Sequence, residues 1–467
     1  MNLLIVLIVF ITIIVLGLHW VTMAFSEPFF DIGVVLAVDS DGNCYVAGCH
    51  TGGADLDPGP GTDWHEPEYD SEIFIIKFDA EGNQVWADTR EGHHWKNRGF
   101  DLLADSDGSV YVSGYHSLYS LGPNSSTYSY LNKFDMDGNV VWSYDWPHVM
   151  SRDLAFNESG NIIMAGAALD EVDLDPNPGQ GSVVRGKDTV FISEFDSDGD
   201  YLESIVWQSE DSYDIVIDGI NSVYIYGRDY GSYRHSYEHS LRKFDMNGQV
   251  WEFTWVAVRI LEPYYGPLHG DGYVAIRENG NVILTGASSG TLGEGIDTRI
   301  SQADHDAGTN AFMVEFDPDG HVLWNQTWQS HSSAWPSGVT VDKDGSIYIT
   351  GNFFRTVDFD PGEDVGEFSS NGKQDIFLSR FTSDGQYEWT RTWGGRGDDR
   401  ANDVVTGDNG EIFVTGMFSG TVDLDPGPAV NRFRSINAND AFLVKLDTDG
   451  TFIWARTWGG ENARYYY

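Results

Sequence analysis

Residues 38–48 read Val-Asp-Ser-Asp-Gly-Asn-Cys-Tyr-Val-Ala-Gly, so that one apolar strand ends in an Asp-rich glycine turn and a second apolar strand follows. Asp-Gly and Asn-Gly turns supply the positive φ angle that β-hairpins need. A third strand, residues 74–79, leads through another glycine turn to a strand that carries Trp86. These residues predict a unit of four antiparallel strands.

The same unit recurs through the chain. Seven copies are present, and the last two intervals between copies are 65 residues each. The tryptophan of the fourth strand returns as Trp142, Trp207, Trp251, Trp324, Trp389 and Trp454. A third strand that is apolar on both faces, as in residues 375–381, is typical of a sheet packed between two similar sheets. We therefore predict an all-β fold, a single seven-bladed β-propeller with four antiparallel strands per blade, over residues 30–467.

A second tryptophan often lies four residues after the first, a spacing that keeps both rings on one face of a strand. The positions are Trp146, Trp255, Trp328, Trp393 and Trp458. Such a ladder can stack sugars or fill the space between blades. Because it recurs in many units and not at one cleft, we predict packing between blades.

Charge and cysteine content narrow the class of partner. The 467 residues include 27 Lys and Arg against 72 Asp and Glu, a formal net charge of −45, which repels phosphate backbones and argues against nucleic acid as a partner. The two cysteines, Cys44 and Cys49, lie on one predicted strand and point to opposite faces. We expect free thiols or an incidental pair, and a fold that does not depend on disulfides.

The N-terminal segment is a targeting signal. Residues 3–18 form an almost unbroken apolar run, and Thr22-Met23-Ala24 suits cleavage before Phe25. Residues 1–24 are thus interpreted as a signal peptide, with an uncleaved membrane anchor as the alternative. Either interpretation predicts a secreted, periplasmic or cell-surface protein.

Four of the longer loops contain Asp-x-Asp-Pro. Paired carboxylates next to free carbonyl groups are the oxygen donors that Ca²⁺ prefers. The competing interpretation is an Asx-type turn, in which aspartate caps backbone amides. The candidate metal ligands are Asp55, Asp57, Asp173, Asp175, Asp358, Asp360, Asp423 and Asp425.

Three motifs in the sixth unit resemble a known family. They are residues 344–351 (Asp-Gly-Ser-Ile-Tyr-Ile-Thr-Gly), 357–362 (Val-Asp-Phe-Asp-Pro-Gly) and 389–395 (Trp-Thr-Arg-Thr-Trp-Gly-Gly), and they resemble the bacterial SBBP-type β-propeller repeat. The resemblance covers roughly residues 34–460 and is specific in the last two units. It implies a propeller in an exported protein, generally without an assigned activity.

No catalytic motif or cofactor-binding motif stands out in the sequence. Residues 133–142 are also similar to the tryptophan-bearing repeat of quinoprotein dehydrogenase propellers, but those enzymes are typically eight-bladed, and many carry a vicinal cysteine pair or a haem-attachment motif. We expect a monomeric, non-catalytic binding or scaffold module that presents an acidic loop face to an extracellular protein or polysaccharide. This loop face carries the longer loops between the second and third strands of each unit and the crossings between units. The alternative is a propeller hydrolase or lyase that acts on extracellular glycan through carboxylates in the central funnel.

Overall fold

The computed structural model describes residues 32–460, apart from residues 68–70, 93–97, 119–125, 158, 177–182, 185–188, 209–213, 218–221, 231–235, 246–247, 259–272, 289–309, 329–332, 363 and 437–438. The predicted segment 1–24 and the side chain of Trp255 lie outside this description. Within the described residues, no helix has the length and apolar character needed to span a bilayer.

The described residues form strands in the following order. The first half of the chain contains β1 (Ile32–Val38), β2 (Cys44–His50), β3 (Ala54–Asp55), β4 (Trp64–His65), β5 (Ser71–Phe78), β6 (Gln84–Gly92), β7 (Arg98–Ala104), β8 (Val110–Leu118), β9 (Ser126–Phe134), β10 (Val140–Pro147), β11 (Val149–Phe156), β12 (Ile162–Ala168), β13 (Val172–Asp173), β14 (Val183–Val184), β15 (Thr189–Phe195), β16 (Tyr201–Gln208) and β17 (Asp214–Ile217). The second half contains β18 (Val223–Tyr230), β19 (Ser236–Asp245), β20 (Gly248–Val258), β21 (Tyr273–Ile276), β22 (Val282–Ser288), β23 (Asn310–Phe316), β24 (Val322–Thr327), β25 (Ser333–Val341), β26 (Ile347–Asp358), β27 (Glu367–Phe381), β28 (Tyr387–Gly395), β29 (Arg400–Thr406), β30 (Ile412–Phe418), β31 (Thr421–Asp423), β32 (Arg432–Arg434), β33 (Asp440–Leu446) and β34 (Phe452–Gly460).

These strands build seven antiparallel blades, which confirms the predicted fold. Blades 1 to 7 consist of β1-β2-β5-β6, β7-β8-β9-β10, β11-β12-β15-β16, β17-β18-β19-β20, β21-β22-β23-β24, β25-β26-β27-β28 and β29-β30-β33-β34. The first strands of successive blades pack against one another except between blades 4 and 5, where β20 packs against β22, and β29 of blade 7 packs against β1 of blade 1. The first strand of a blade is therefore the inner one, and the ring is closed.

Glycine turns join the first strand to the second and the third to the fourth. In the turn at Asp39, the Gly42 N–H donates to the Asp39 carbonyl at 3.0 Å, and the Asp39 carboxylate accepts the N–H of Asn43 at 2.9 Å. Gly42 has a φ of 80°, whereas the preceding aspartate stays in the ordinary region. This is a type I turn followed by a left-handed residue, in which the carboxylate caps the turn.

In six blades the fourth strand carries a first tryptophan that contacts the next blade, whereas Trp207 of blade 3 lies opposite Val190, in the register of the second tryptophan, and not in the predicted first position. The Trp86 indole N–H donates to the Met136 carbonyl at 3.1 Å, and a Cβ at Gly138 would lie 2.7 Å from that indole. The Trp454 indole N–H donates in the same way to the Ala80 carbonyl of blade 1 at 3.2 Å. The second tryptophans, Trp146, Trp328, Trp393 and Trp458, are 2–3% exposed. Packing between blades is therefore confirmed for the described tryptophans.

Both cysteines lie on β2, and no disulfide joins them. Cys44 is buried in the core between blades 1 and 7, and burial raises the pKa of its thiol. The core contacts between the blades are thus made by apolar side chains and backbone hydrogen bonds, and not by a disulfide between these two residues.

Candidate functional site

The four Asp-x-Asp-Pro motifs form hairpins that pack on the preceding blade. The hairpin β3–β4 pairs with the end of β34, where Ala54 lies opposite Gly460, and β31–β32 pairs with the end of β28. The apolar residue between the two aspartates is 0–1% exposed, and these residues are Leu56, Leu174, Phe359 and Leu424. Each hairpin therefore covers the outer edge of its neighbour.

Two direct hydrogen bonds connect hairpins to the second tryptophan of the blade before. The Trp146 indole N–H donates to the Leu174 carbonyl at 3.2 Å, and the Trp328 indole N–H donates to the Phe359 carbonyl at 2.8 Å. The hairpin and the second tryptophan are thus parts of one inter-blade contact. The motif has a structural role in addition to any role in binding a metal.

The aspartates of these hairpins accept backbone N–H groups. The first aspartate caps the loop: Asp358 Oδ1 accepts the N–H of Gly366 at 2.8 Å, and Asp55 and Asp423 accept the equivalent bonds. The second aspartate caps the Pro-Gly turn, as where Asp57 accepts the Gly59 N–H at 2.7 Å. Asp173 Oδ1 accepts the Asp175 N–H at 3.2 Å. The pairs lie in four separate hairpins, and calcium binding by them stays a prediction.

A group with the geometry to hold a metal ion lies elsewhere, in the exposed turn between β23 and β24. Ligand atoms of Asp317, Asp319 and His321 lie within 4.8 Å of one another. Asp317 accepts the His321 N–H at 2.8 Å, and this hydrogen bond is the main reason that the pKa of Asp317 is lowered. Sequence reasoning identified the turn but not this group, whose distinguishing feature is a histidine directly after the glycine.

Three carboxylates on inner strands, those of Asp101, Asp153 and Asp403, were missed by sequence reasoning. Asp403 Oδ2 accepts the Leu36 N–H at 2.9 Å, a bond between blades 7 and 1. Asp101 Oδ2 accepts the Leu154 N–H at 2.6 Å, a bond between blades 2 and 3. Both aspartates also accept the N–H of the residue that follows them, at 2.8 Å. They therefore join neighbouring blades at the inner strands.

Two of the inner-strand carboxylates have raised pKa values. Burial raises the pKa of Asp101 to about 6 and that of Asp403 to about 7. Asp101 also makes a side-chain hydrogen bond with Asp153, which partly opposes the effect of burial on its pKa. A common sequence feature, an aspartate before Leu or Val on the first strand, could have identified all three residues.

A second pair of buried carboxylates lies where blade 6 crosses into blade 7. Asp399 is 0% exposed and accepts the N–H groups of Gly395 at 2.6 Å and Ser419 at 3.1 Å. Asp375 is 1% exposed and accepts the Asn371 N–H at 2.9 Å. Burial raises the pKa of Asp399 to about 7 and that of Asp375 to about 6. These carboxylates also hold backbone in place.

An open groove of about 690 Å³ lies on the rim of the ring, where blades 6, 7 and 1 meet. Its wall on one side is Asn431 and Phe433 at the edge strand β32, and its floor is the start of β34, residues 452–456. The other wall is the loop 57–61 and the turn 82–84 of blade 1. The groove thus depends on ring closure, because it combines residues almost 400 positions apart in the chain.

Comparison with known proteins shows neither a family nor an activity for this chain. The chain matches no protein-family model, so its resemblance to the SBBP-type repeat stays a prediction. It is 25% identical over 132 residues to the regulatory protein FlaEY of Caulobacter vibrioides; this match covers 27% of the chain and 14% of that protein.

Several solved structures resemble the chain distantly. They include the Dos1 propeller (10% identity, 84% of this chain and 92% of that one, TM-score 0.36). A second is the polysaccharide lyase Uly1, at 12% identity over 79% of this chain and 91% of that one, with a TM-score of 0.36. A third is a lignostilbene dioxygenase of Pseudomonas brassicacearum, at 12% identity over 93% of this chain and 92% of that one, with a TM-score of 0.40. These similarities are too low to carry an argument about activity.

Proposed function

We propose that this chain is an exported, non-catalytic binding propeller whose loop face and adjoining rim take up an extracellular polysaccharide or protein. One observation carries the proposal: the buried carboxylates nearest the axis accept backbone N–H groups of neighbouring strands and blades, as Asp403 does from Leu36. If such a carboxylate turned toward a substrate, it would lose its hydrogen bonds with these backbone N–H groups, so it is poorly suited to catalysis. Export rests on the apolar run of residues 3–18.

Calcium has a place in this proposal as a stabiliser of the hairpins. In Asp358 and Asp360 the Oδ1 atoms accept backbone N–H groups, and the prolines and glycines of the loop leave carbonyl groups for a cation. Carboxylate and carbonyl oxygens are the donor set that calcium requires. The ion would hold the hairpin on the preceding blade and would take no part in chemistry.

A second candidate function, glycan hydrolysis or elimination, is favoured by one specific observation. Asp101 and Asp153 are hydrogen-bonded to each other on adjacent inner strands, and burial raises the pKa of Asp101 to about 6. Two carboxyl groups in contact, one of which has a raised pKa, are a common acid–base arrangement. Both Asp101 oxygens, however, already accept N–H groups, at 2.6 Å from Leu154 and at 2.8 Å from Leu102.

The two functions are separated by measuring retention and turnover on the same polysaccharides. The protein is run through native gels that contain each polysaccharide, and the same mixtures are assayed for new reducing ends and for unsaturated sugars. The proposal expects retention without product. Product formation that is lost in Asp101→Asn would establish the enzyme instead, because that variant removes the ionisable carboxyl group and keeps the side-chain shape.

A further inference from the structure

The rim groove is lined by both apolar and polar side chains, a combination that is typical of ligand-binding clefts. Its apolar surface comes from Phe433, Phe452 and the 46% exposed Ile453. Its polar groups are the amides of Asn431 and Gln84 and the carboxylate of Asp57. A volume of about 690 Å³ lies within the range of ligand-binding clefts, roughly 300–1,000 Å³, and such clefts combine apolar walls with a few fixed polar groups.

The polar groups of the groove include one fixed, charged acceptor. Asp57 is fixed by the Gly59 N–H at 2.7 Å, and its carboxylate remains a double acceptor with spare lone pairs. The Gln84 amide donates to Asp63 at 2.8 Å, which turns its carbonyl oxygen away from that partner. The Asn431 backbone N–H donates to Asp423, so the edge of β32 holds this residue at the groove.

The cation of the groove, Arg456, is occupied by the protein. Its guanidinium lies 5.0 Å from the Trp454 ring centre and donates through Nη1 to the Ala455 carbonyl at 2.8 Å and through Nη2 to the Glu81 carbonyl at 3.0 Å. Its Nε donates to the Gly82 carbonyl. Two of these nitrogens, Nε and Nη2, therefore hold the turn of blade 1 against blade 7, and each nitrogen donates to a backbone carbonyl of the protein.

We propose that this groove binds a neutral oligosaccharide segment of an extracellular polysaccharide. Sugar hydroxyls donate to Asp57 and the two amides, while the C–H faces of the rings lie on Phe433, Phe452 and Ile453. A sulfated or uronate-rich chain is excluded by the Asp57 carboxylate and by a net charge of −45. This inference rests on the proposed function and names its site and ligand class.

The test is affinity electrophoresis with defined probes. Native gels contain one of four neutral polysaccharides (mixed-linkage β-glucan, xyloglucan, mannan or starch), one of two anionic ones (alginate or polygalacturonate), or none. We expect retardation in at least one neutral gel and none in the anionic gels. Asp57→Asn should weaken retardation about tenfold, because a charged acceptor is replaced by a neutral one. Ile453→Ser should weaken it as well.

Matched variants control for effects on the fold. Asp360→Asn alters the same hairpin position in blade 6, where Asp360 accepts the Gly362 N–H at 2.8 Å, but lies outside the groove. Leu323→Ser alters the outer-strand position of blade 5 that corresponds to Ile453, and Leu323 is 51% exposed. Both controls should be retarded like the wild-type protein.

Three outcomes overturn the inference. Retardation in no neutral gel, or in the anionic gels alone, contradicts the ligand class. Equal retardation of wild type, Asp57→Asn and Ile453→Ser places the binding elsewhere and leaves the proposed function standing. Release of sugar product from a bound polysaccharide refutes the proposed function itself, whichever groove variant is used.

Discussion

Replacing Asp403 by asparagine tests how the ring is closed. Burial raises the pKa of Asp403 from 3.8 to about 7. Between these pH values the folded protein keeps a proton that the unfolded chain releases, so this group makes stability fall as the pH rises through the window. A shift of about three pKa units corresponds to at most about 4 kcal/mol between the acidic end and the alkaline end of the window.

The Asp403→Asn variant removes the ionisation and keeps one acceptor oxygen. Two N–H groups, of Leu36 and Val404, compete for that oxygen, and the loss of one hydrogen bond costs about 1–3 kcal/mol. We expect the variant to be less stable than wild type at pH 5. At pH 8, where wild type carries a buried charge, the difference should vanish or reverse.

The assay is urea unfolding of both proteins at half-unit steps from pH 5 to pH 8. Asp135→Asn is the control: Asp135 is an exposed turn carboxylate, and hydrogen bonds from Asn139 lower its pKa. Its contribution is lost only as the pH falls through that lowered pKa, so the difference between this variant and wild type should stay constant over the range. Parallel curves for wild type and Asp403→Asn would refute the burial argument.

Three further changes test other contacts. Leu174→Ala, at a side chain that is 0% exposed and whose carbonyl accepts the Trp146 N–H, should lower the free energy of unfolding in urea by about 2–5 kcal/mol. The control Leu202→Ala, at a 48% exposed position, should change it by less than about 0.5 kcal/mol, and equal effects would contradict the hairpin contact. Gly394→Ala places a Cβ against the Asp375 carboxylate and should lower the free energy of unfolding by about 1–3 kcal/mol. In the double variant with Asp375→Ser, part of that stability should return. A Gly394→Ala protein as stable as wild type would contradict the close approach. Calcium at a hundredfold excess over Kd should raise the free energy of unfolding by about 2.7 kcal/mol. The increase should be smaller in the Asp358→Asn/Asp360→Asn protein. Equal melting temperatures in calcium and in chelator would contradict calcium binding.

The features that the sequence predicted are those with a local cause. Alternating apolar residues and a glycine such as Gly42, whose φ is 80°, specify strand and turn without reference to the rest of the chain. Seven repeats of that unit then leave few alternatives to a propeller. The position of the tryptophans between blades could be predicted because an aromatic ring that recurs in each unit packs against residues that recur in the neighbouring unit.

The features that the sequence did not predict depend on distant pairing. The hairpin of Leu56 belongs to blade 1 but completes the sheet of blade 7, where Ala54 lies opposite Gly460. Asp101 accepts an N–H group 53 positions later in the chain. The rim groove brings Asp57 to Phe452 by the same closure. Composition and spacing do not encode these neighbours, since they arise only once the ring is formed.

The closure of the ring is tested most directly by a double-mutant cycle between Phe74 of blade 1 and Trp458 of blade 7. Their ring centres lie 5.9 Å apart with planes at 88°, an edge-to-face contact between residues at opposite ends of the propeller sequence. Phe74→Leu, Trp458→Leu and the double variant are compared by urea unfolding. A closed propeller predicts a coupling energy of about 0.5–1.5 kcal/mol. Strictly additive losses would contradict a ring that joins its first and last blades.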